Sequence, residues 1–301
     1  MTGIFRRYGC LAAGPGETFR RPRGAVLRSG CAAVVGCFGL LAGLAPSPEA
    51  FAEGGDAGVF RNEEVTLQLV RAGEPVDGAV RAALLIDLAP GWHTYWTDPG
   101  ASGVPPQIDL SKTAGFQTIY QHLPAPTRFG EGPTRANGYE GRTAFAFELD
   151  VEPGETIDAV KASVFLGVCK EICIPVSAEL TAEPSGAAGD AAVAAAFAAL
   201  PQEAGDDRFT VTSGADGKSL DVSVKDAGGA GKTPELFVTS GDGWFFDEPG
   251  KPMRQGSSTV FTVPIAESPA EAAGAPEAVD LLLTDGGKGV EATGVPVVSG
   301  R

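Results

Sequence analysis

Val160-Lys-Ala-Ser-Val-Phe-Leu-Gly-Val-Cys169-Lys-Glu-Ile-Cys173-Ile-Pro-Val-Ser-Ala-Glu-Leu180 is the stretch that decides the fold. Ahead of the first cysteine the even positions are apolar: Val160, Ala162, Val164, Leu166 and Val168. Beyond the second they are apolar again: Ile174, Val176, Ala178 and Leu180. Side chains alternate between the two faces of a strand, so each half reads as a strand with one buried face. With Lys170, Glu171 and Ile172 as the turn of an antiparallel hairpin, 169 faces 173, 168 faces 174 and 166 faces 176. That register gathers every even apolar residue on one face, as a sheet with one buried side requires. Both cysteines then fall on the opposite, less buried face. The turn lacks the glycine that three-residue hairpin loops prefer.

Outward from this hairpin the same alternation recurs. Val65, Leu67 and Leu69 alternate with polar partners, residues 82–88 and 116–122 form apolar runs, and Phe145, Phe147 and Leu149 alternate again. Gly, Pro and Asp turns separate these short strands, and the pattern predicts an all-β sandwich over residues 53–184. Residues 185–206 break it with Ala and Gly. There Asp190 can cap a short helix over 191–200 with Val193, Phe197 and Leu200 on one face, the alternative being a flexible linker. Six further short strands, 209–212, 220–224, 236–239, 260–263, 279–283 and 290–298, predict a second, smaller β-domain over 207–301. It holds no Cys and no His, so redox or common metal chemistry belongs to the first domain.

The beginning of the chain reads as an export leader. Arg20, Arg21, Arg23 and Arg28 precede an apolar run from Cys31 to Leu44, and the small-residue site Ala50-Phe51-Ala52 follows. This order predicts a signal peptide over 1–52, cut after Ala52; a lipoprotein site at Cys37 is the competing reading. The run is shorter than the roughly 20 residues of a membrane span, and no span is expected elsewhere. Removing 1–52 takes away six Arg and two Glu, so 23 basic and 38 acidic residues become 17 and 36. A surface this acidic argues against nucleic acid and anionic lipid, both of which need basic patches.

Cys10, Cys31 and Cys37 leave with the leader, and the mature chain keeps the single pair Cys169 and Cys173. Facing Cβ atoms in an antiparallel pair lie about 4.5–5.5 Å apart, whereas a disulfide needs about 3.5–4.5 Å. The bond can close, under strain, and strained, exposed disulfides are the labile ones. As a staple it would close a loop of about five residues, worth roughly 2 kcal/mol by chain entropy, the low end of the range. Zinc would need further ligands and haem a C-x-x-C-H, neither of which is present, while Cu(I) could take the two thiolates. The residues by themselves leave three readings open: a redox pair, a structural staple and a thiolate site for copper. No cofactor is called for and no metal ligand set is assigned.

Gly91-Trp-His-Thr-Tyr-Trp-Thr-Asp-Pro-Gly100, Gly103-Val-Pro-Pro106, Leu123-Pro-Ala-Pro126, Gly138-Tyr139 and Gly167-Val-Cys-Lys-Glu-Ile-Cys-Ile-Pro175 occur in an order that adds to this. Together, over about residues 59–183, they resemble the N-terminal periplasmic domain of the DsbD family, especially its suppressor-of-copper-sensitivity, ScsB-like branch. The resemblance implies an immunoglobulin-like sandwich in the periplasm. It implies that Cys169 and Cys173 are a redox disulfide relaying electrons from a thioredoxin-like protein or membrane transporter to oxidised periplasmic disulfide proteins. Cys173 would form the mixed disulfide. Copper tolerance and cytochrome c maturation are the physiological settings it brings with it. The gap between the cysteines is shorter than in DsbD itself, and the aligned cap loop, Arg128-Phe-Gly-Glu-Gly-Pro133, lacks the acidic, aromatic element that shields the pair there. Phe129 and Glu131 are the candidates to replace it, with Phe165 and Pro175 beside them. The family's membrane and C-terminal thioredoxin domains have no counterpart in this sequence, so the donor is expected in trans. A copper-handling protein, or a binding module with a structural disulfide, is the alternative function.

Overall fold

The computed structural model describes residues 57–300 apart from 228–233, 242, 273 and 285–288. The leader expected over 1–52, with its cleavage site, lies outside the described residues. Eleven strands come first: β1 (Val59–Arg61), β2 (Val65–Arg71), β3 (Ala79–Leu88), β4 (His93–Tyr95), β5 (Gln107–Asp109), β6 (Phe116–His122), β7 (Thr127–Phe129), β8 (Ala136–Glu140), β9 (Arg142–Val151), β10 (Val160–Cys169) and β11 (Cys173–Ala182). They make two sheets, ordered β1-β2-β3-β9-β6 and β11-β10-β4-β8-β7, with β5 alongside β10. Alternate residues of the first sheet (Leu67, Leu84, Ile86, Phe145, Phe147) meet the even residues of β10 (Val160 to Val168) in one dry core. This is an immunoglobulin-like β-sandwich, with the alternation in each strand setting which face is inside.

β10 and β11 pair as the parity requires: Cys169 faces Cys173, Val168 faces Ile174 and Leu166 faces Val176. One expectation fails. The odd face is open at Cys173 but closed at Cys169, which is 3% exposed, because the short strand β4 and its neighbours lie over it.

Helix α1 (Ala187–Ala198) follows and lies on the outer face of the first sheet, where Val193 and Ala196 pack on Val70, Ala83 and Ala146. Small Ala side chains at 83 and 146 let the helix approach. The helix starts at Ala187, earlier than the expected 191, because Asp190 is not its cap. Its N-cap is Gly186, and the Asp190 carboxylate sits in the first turn, accepting the Gly73 N–H at 2.8 Å. A carboxylate there complements the positive end of the helix dipole.

A second all-β unit completes the chain: β12 (Gln202–Glu203), β13 (Phe209–Ser213), β14 (Ser219–Lys225), β15 (Glu235–Thr239), β16 (Phe245–Phe246), β17 (Met253–Gln255), β18 (Ser258–Glu267), β19 (Ala278–Thr284) and β20 (Gly289–Ser299). Its main sheet runs β15-β19-β20-β13-β14-β18-β16 and encloses a core built on Leu220, Val222, Leu236, Phe261 and Leu281. Two of its buried side chains, Phe237 and Leu282, point the other way and join the core of the sandwich.

Candidate functional site: a disulfide with one covered sulfur

Cys169 and Cys173 are joined as a disulfide across the turn end of the β10–β11 hairpin, four residues apart. Their surroundings differ sharply. Cys173 is exposed, as is the tip residue Ile172 at 68%, whereas Cys169 packs with Tyr95, Ala136 and Phe129.

The cover over Cys169 is built by β4, β8 and β7. β4 runs beside the end of β10, pairing His93 with Cys169, and the Thr94 hydroxyl donates to the Gly167 carbonyl at 2.9 Å. Tyr95 then lies across β10 over Gly167, where a Cβ would stand 3.3 Å from the ring; a bare glycine leaves the ring its place. The Tyr95 hydroxyl reaches Cys169 Sγ at 2.9 Å and stands 3.6 Å from Cys173 Sγ. On the next strand a Cβ on Gly138 would collide with the Thr94 carbonyl, so only glycine lets β8 close on β4 there. From β7, Phe129 packs into the same cluster, its ring 4.6 Å from that of His93, which stands edge-on to Tyr95 at 5.5 Å.

Burial pushes the Tyr95 phenol above its ordinary range, which keeps the hydroxyl protonated and able to donate to a thiolate. Burial also lowers His93, against the opposing pull of Glu140, which favours a neutral imidazole. Asp98, further along the same segment, is raised by burial against the Gly100 N–H and the nearby Arg135 and Arg128.

Of the residues singled out in the sequence, the structure brings together Cys169, Cys173 and Phe129. Glu131 is exposed at the head of the 3-10 turn Gly132–Thr134, where its carbonyl accepts from Thr134. Phe165 lies four residues up β10 from Cys169, paired with Ser177 and Gln107, and Pro175 is exposed opposite Gly167. Sequence reasoning assigned neither Tyr95 nor His93 a place at the disulfide, yet Tyr95 packs with Cys169 and His93 pairs with it across the strands. Their one signal is the aromatic run Trp92-His-Thr-Tyr-Trp96 together with the bare Gly167 that receives the ring. Among the described residues no three His, Cys, Asp or Glu side chains converge as a metal site, and no helix is long and apolar enough to cross a membrane.

An immunoglobulin-like sandwich that displays one sulfur of a hairpin disulfide and covers the other under aromatic rings has the makings of a thiol–disulfide interchange domain. Residues 62–184 match the family described as thiol:disulfide interchange protein DsbD, N-terminal. The chain is similar to the N-terminal periplasmic domain of ScsB from Proteus mirabilis, with a TM-score of 0.64 and 23% identity, covering 81% of this chain and 98% of that one. That likeness shows a shared fold running through both β-units. A marsupial T cell receptor covers 78% of this chain and 97% of that one at 10% identity, but its TM-score of 0.18 carries no argument. No curated protein matches the chain.

Proposed function

We propose that the protein is a periplasmic electron relay of the protein-disulfide reductase type, working through Cys169 and Cys173. The observation that carries this is the unequal burial of the two sulfurs beside a phenolic hydroxyl. A thiolate from a thioredoxin-like donor, on a separate protein or a membrane transporter, attacks the exposed Cys173 Sγ. A mixed disulfide forms there, the Cys169–Cys173 bond breaks, and Cys169 leaves as a thiolate that accepts the Tyr95 O–H. The donor's second thiolate then attacks its own sulfur in the mixed disulfide and releases Cys173; the donor ends oxidised and the pair reduced. The same steps in reverse pass two electrons to an oxidised periplasmic protein. Leaving as a stabilised thiolate is what speeds exchange at the first step. The family match over residues 62–184 supports the chemistry, and the acidic sequence supports protein partners over nucleic acid.

Single-cysteine trapping tests the reading. In Cys169→Ser the remaining Cys173 captures a thioredoxin-like partner whose own resolving cysteine has been removed. The reciprocal Cys173→Ser, left with the covered sulfur, captures little. Equal capture by both variants, or capture through Cys169 alone, would refute the assignment.

A further inference from the structure

Two aromatic side chains, Tyr95 and Phe129, pack with Cys169 in its buried cluster, and both are followed or preceded in the chain by a residue seated on the second β-unit. Trp96, next after Tyr95, meets Phe237 edge-on at 5.6 Å. Arg128, just before Phe129, lays its guanidinium over the Phe237 ring, 4.5 Å from its centre. Neighbouring residues in a strand point to opposite faces. The short edge strand β7 therefore shows Phe129 to the disulfide and Arg128 to the second unit, while Tyr95 ends β4 in the cluster of Cys169 and Trp96, the next residue, packs in the sandwich core against Phe237.

Polar contacts reinforce the joint. Arg128 donates to the Leu236 carbonyl at 3.1 Å and lies 3.9 Å from both Glu235 and Glu248. Arg135, at the far end of the loop that begins with Phe129, donates to Asp247 at 3.2 Å and approaches Glu248 at 3.8 Å. Both arginine side chains are only 12% exposed, so these pairs are less screened than ordinary surface ones. β7 has a single hydrogen-bonded neighbour, β8, so side chains must hold its outer flank. Phe237 itself is 2% exposed and belongs to the sandwich's core although β15 carries it.

We propose that the second β-unit is a clamp on the redox site: Phe237, with Asp247 and Glu248, holds Tyr95 and Phe129 over Cys169 through Trp96, Arg128 and Arg135. These are positioning residues, acting on the disulfide only through the cover. The inference rests on the exchange reading above for its biological use. Its physical content is access to the Cys169–Cys173 bond, which a small thiol can probe without any protein partner.

The test measures the rate at which dithiothreitol reduces the disulfide in the full mature chain. Asp247→Asn with Glu248→Gln removes the acidic half of the clamp without leaving a cavity. Loss of ion pairs of this kind is worth a change of about twofold to fivefold in rate, and an acceleration of that size is expected. Phe129→Ala should accelerate reduction by itself, and adding the acidic substitutions to it should change nothing further, because the ring that Arg128 and Arg135 hold is already gone. Arg135→Lys should keep the slow rate and Arg135→Gln should not. Phe237→Leu, a change that keeps an apolar plug, should give an intermediate rate; near-ultraviolet circular dichroism identifies any variant that has lost its fold, and the acidic pair then decides alone. An unchanged rate in a folded Asp247→Asn, Glu248→Gln protein, or full additivity with Phe129→Ala, would overturn the clamp. Either result is independent of the trapping experiment, which tests whether protein partners exchange at Cys173.

Discussion

Replacing Tyr95 with Phe keeps the ring that lies over Gly167 and deletes only the hydroxyl 2.9 Å from Cys169 Sγ. In the disulfide that sulfur is a weak acceptor, and in the departing thiolate a strong one. A hydrogen bond to a charged group contributes about 1.5–3 kcal/mol against about 1 kcal/mol for a neutral one. The thiolate therefore loses about 1–1.5 kcal/mol more than the disulfide does. At a given pH the thiolate fraction of the reduced protein falls roughly fivefold to tenfold, at about 1.4 kcal/mol per decade. With about half of the charge developed on Sγ in the transition state, attack on Cys173 slows about threefold. Burial holds the Tyr95 phenol protonated, so the native protein keeps its donor across the range of the assay. Two measurements check this: the ultraviolet absorbance of the Cys169 thiolate against pH in a Cys173→Ser background, and the rate of reduction by a thioredoxin. A Tyr95→Phe protein whose thiolate profile stays in place or moves to lower pH, with its fold intact, would show that the hydroxyl does not serve the leaving sulfur.

Reduction of the disulfide should leave the sandwich folded, since a loop this short is worth roughly 2 kcal/mol at most beside a domain stability of about 5–15 kcal/mol; oxidised and reduced melts should differ by a few degrees, and unfolding on reduction would mark the pair as a staple. Gly138→Ala should lower the melting temperature by about 3–10 °C, because a Cβ there meets the Thr94 carbonyl and overpacking of this kind costs about 1–3 kcal/mol; it should also speed reduction by small thiols, and a variant as stable as the parent counts against the close β4–β8 contact. Glu291, raised to about 8 by burial and then by Glu203 and Asp280, holds in the folded state a proton that the unfolded chain gives up near 4.5. Stability should therefore fall as pH rises through that window, and Glu291→Gln should flatten the dependence of melting temperature on pH. Protein recovered from the periplasm should begin at Glu53, which N-terminal sequencing reads directly; a lipid-modified Cys37 would contradict the Ala50-Phe-Ala52 cleavage site.

The long strands were legible because each buries one face, and burial writes a period of two into the residues. Val160 to Val168 and Ile174 to Leu180 carry both the strands and their register, and the structure pairs them accordingly. β4 and β8 left no such trace. They are short, His93-Thr-Tyr95 and Ala136-Asn-Gly-Tyr-Glu140, and their residues are buried on both sides, so polar and apolar types do not alternate. With β4 unseen, the cover over Cys169 was unseen too, and both cysteines were placed on the less buried face. Tyr95 stands 74 positions from Cys169, and no local pattern links a tyrosine to a sulfur at that distance. The helix start was misread for a related reason: a cap is a local motif, but the Asp190 carboxylate answers a backbone N–H 117 positions away. Phe237 looked like any interior residue of a second sheet, and its side chain belongs to the first core.

The unequal depth of the two sulfurs also governs chemical damage. After removal of the leader the sequence offers no thiol besides Cys169 and Cys173. When the pair is reduced, an oxidant or a stray small-molecule disulfide meets the exposed Cys173 thiol first, and forms its adduct there. Cys169 stands directly across the hairpin, shielded from the same reagent, and needs no diffusion to attack. Its thiolate displaces the adduct and restores the internal bond, and the two-sulfur hairpin clears itself at the expense of one reducing equivalent pair. Sulfenic acid at Cys173 would condense with Cys169 in the same way before deeper, irreversible oxidation could follow. A hairpin able to open and re-form its own disulfide is thereby also protected against irreversible oxidation.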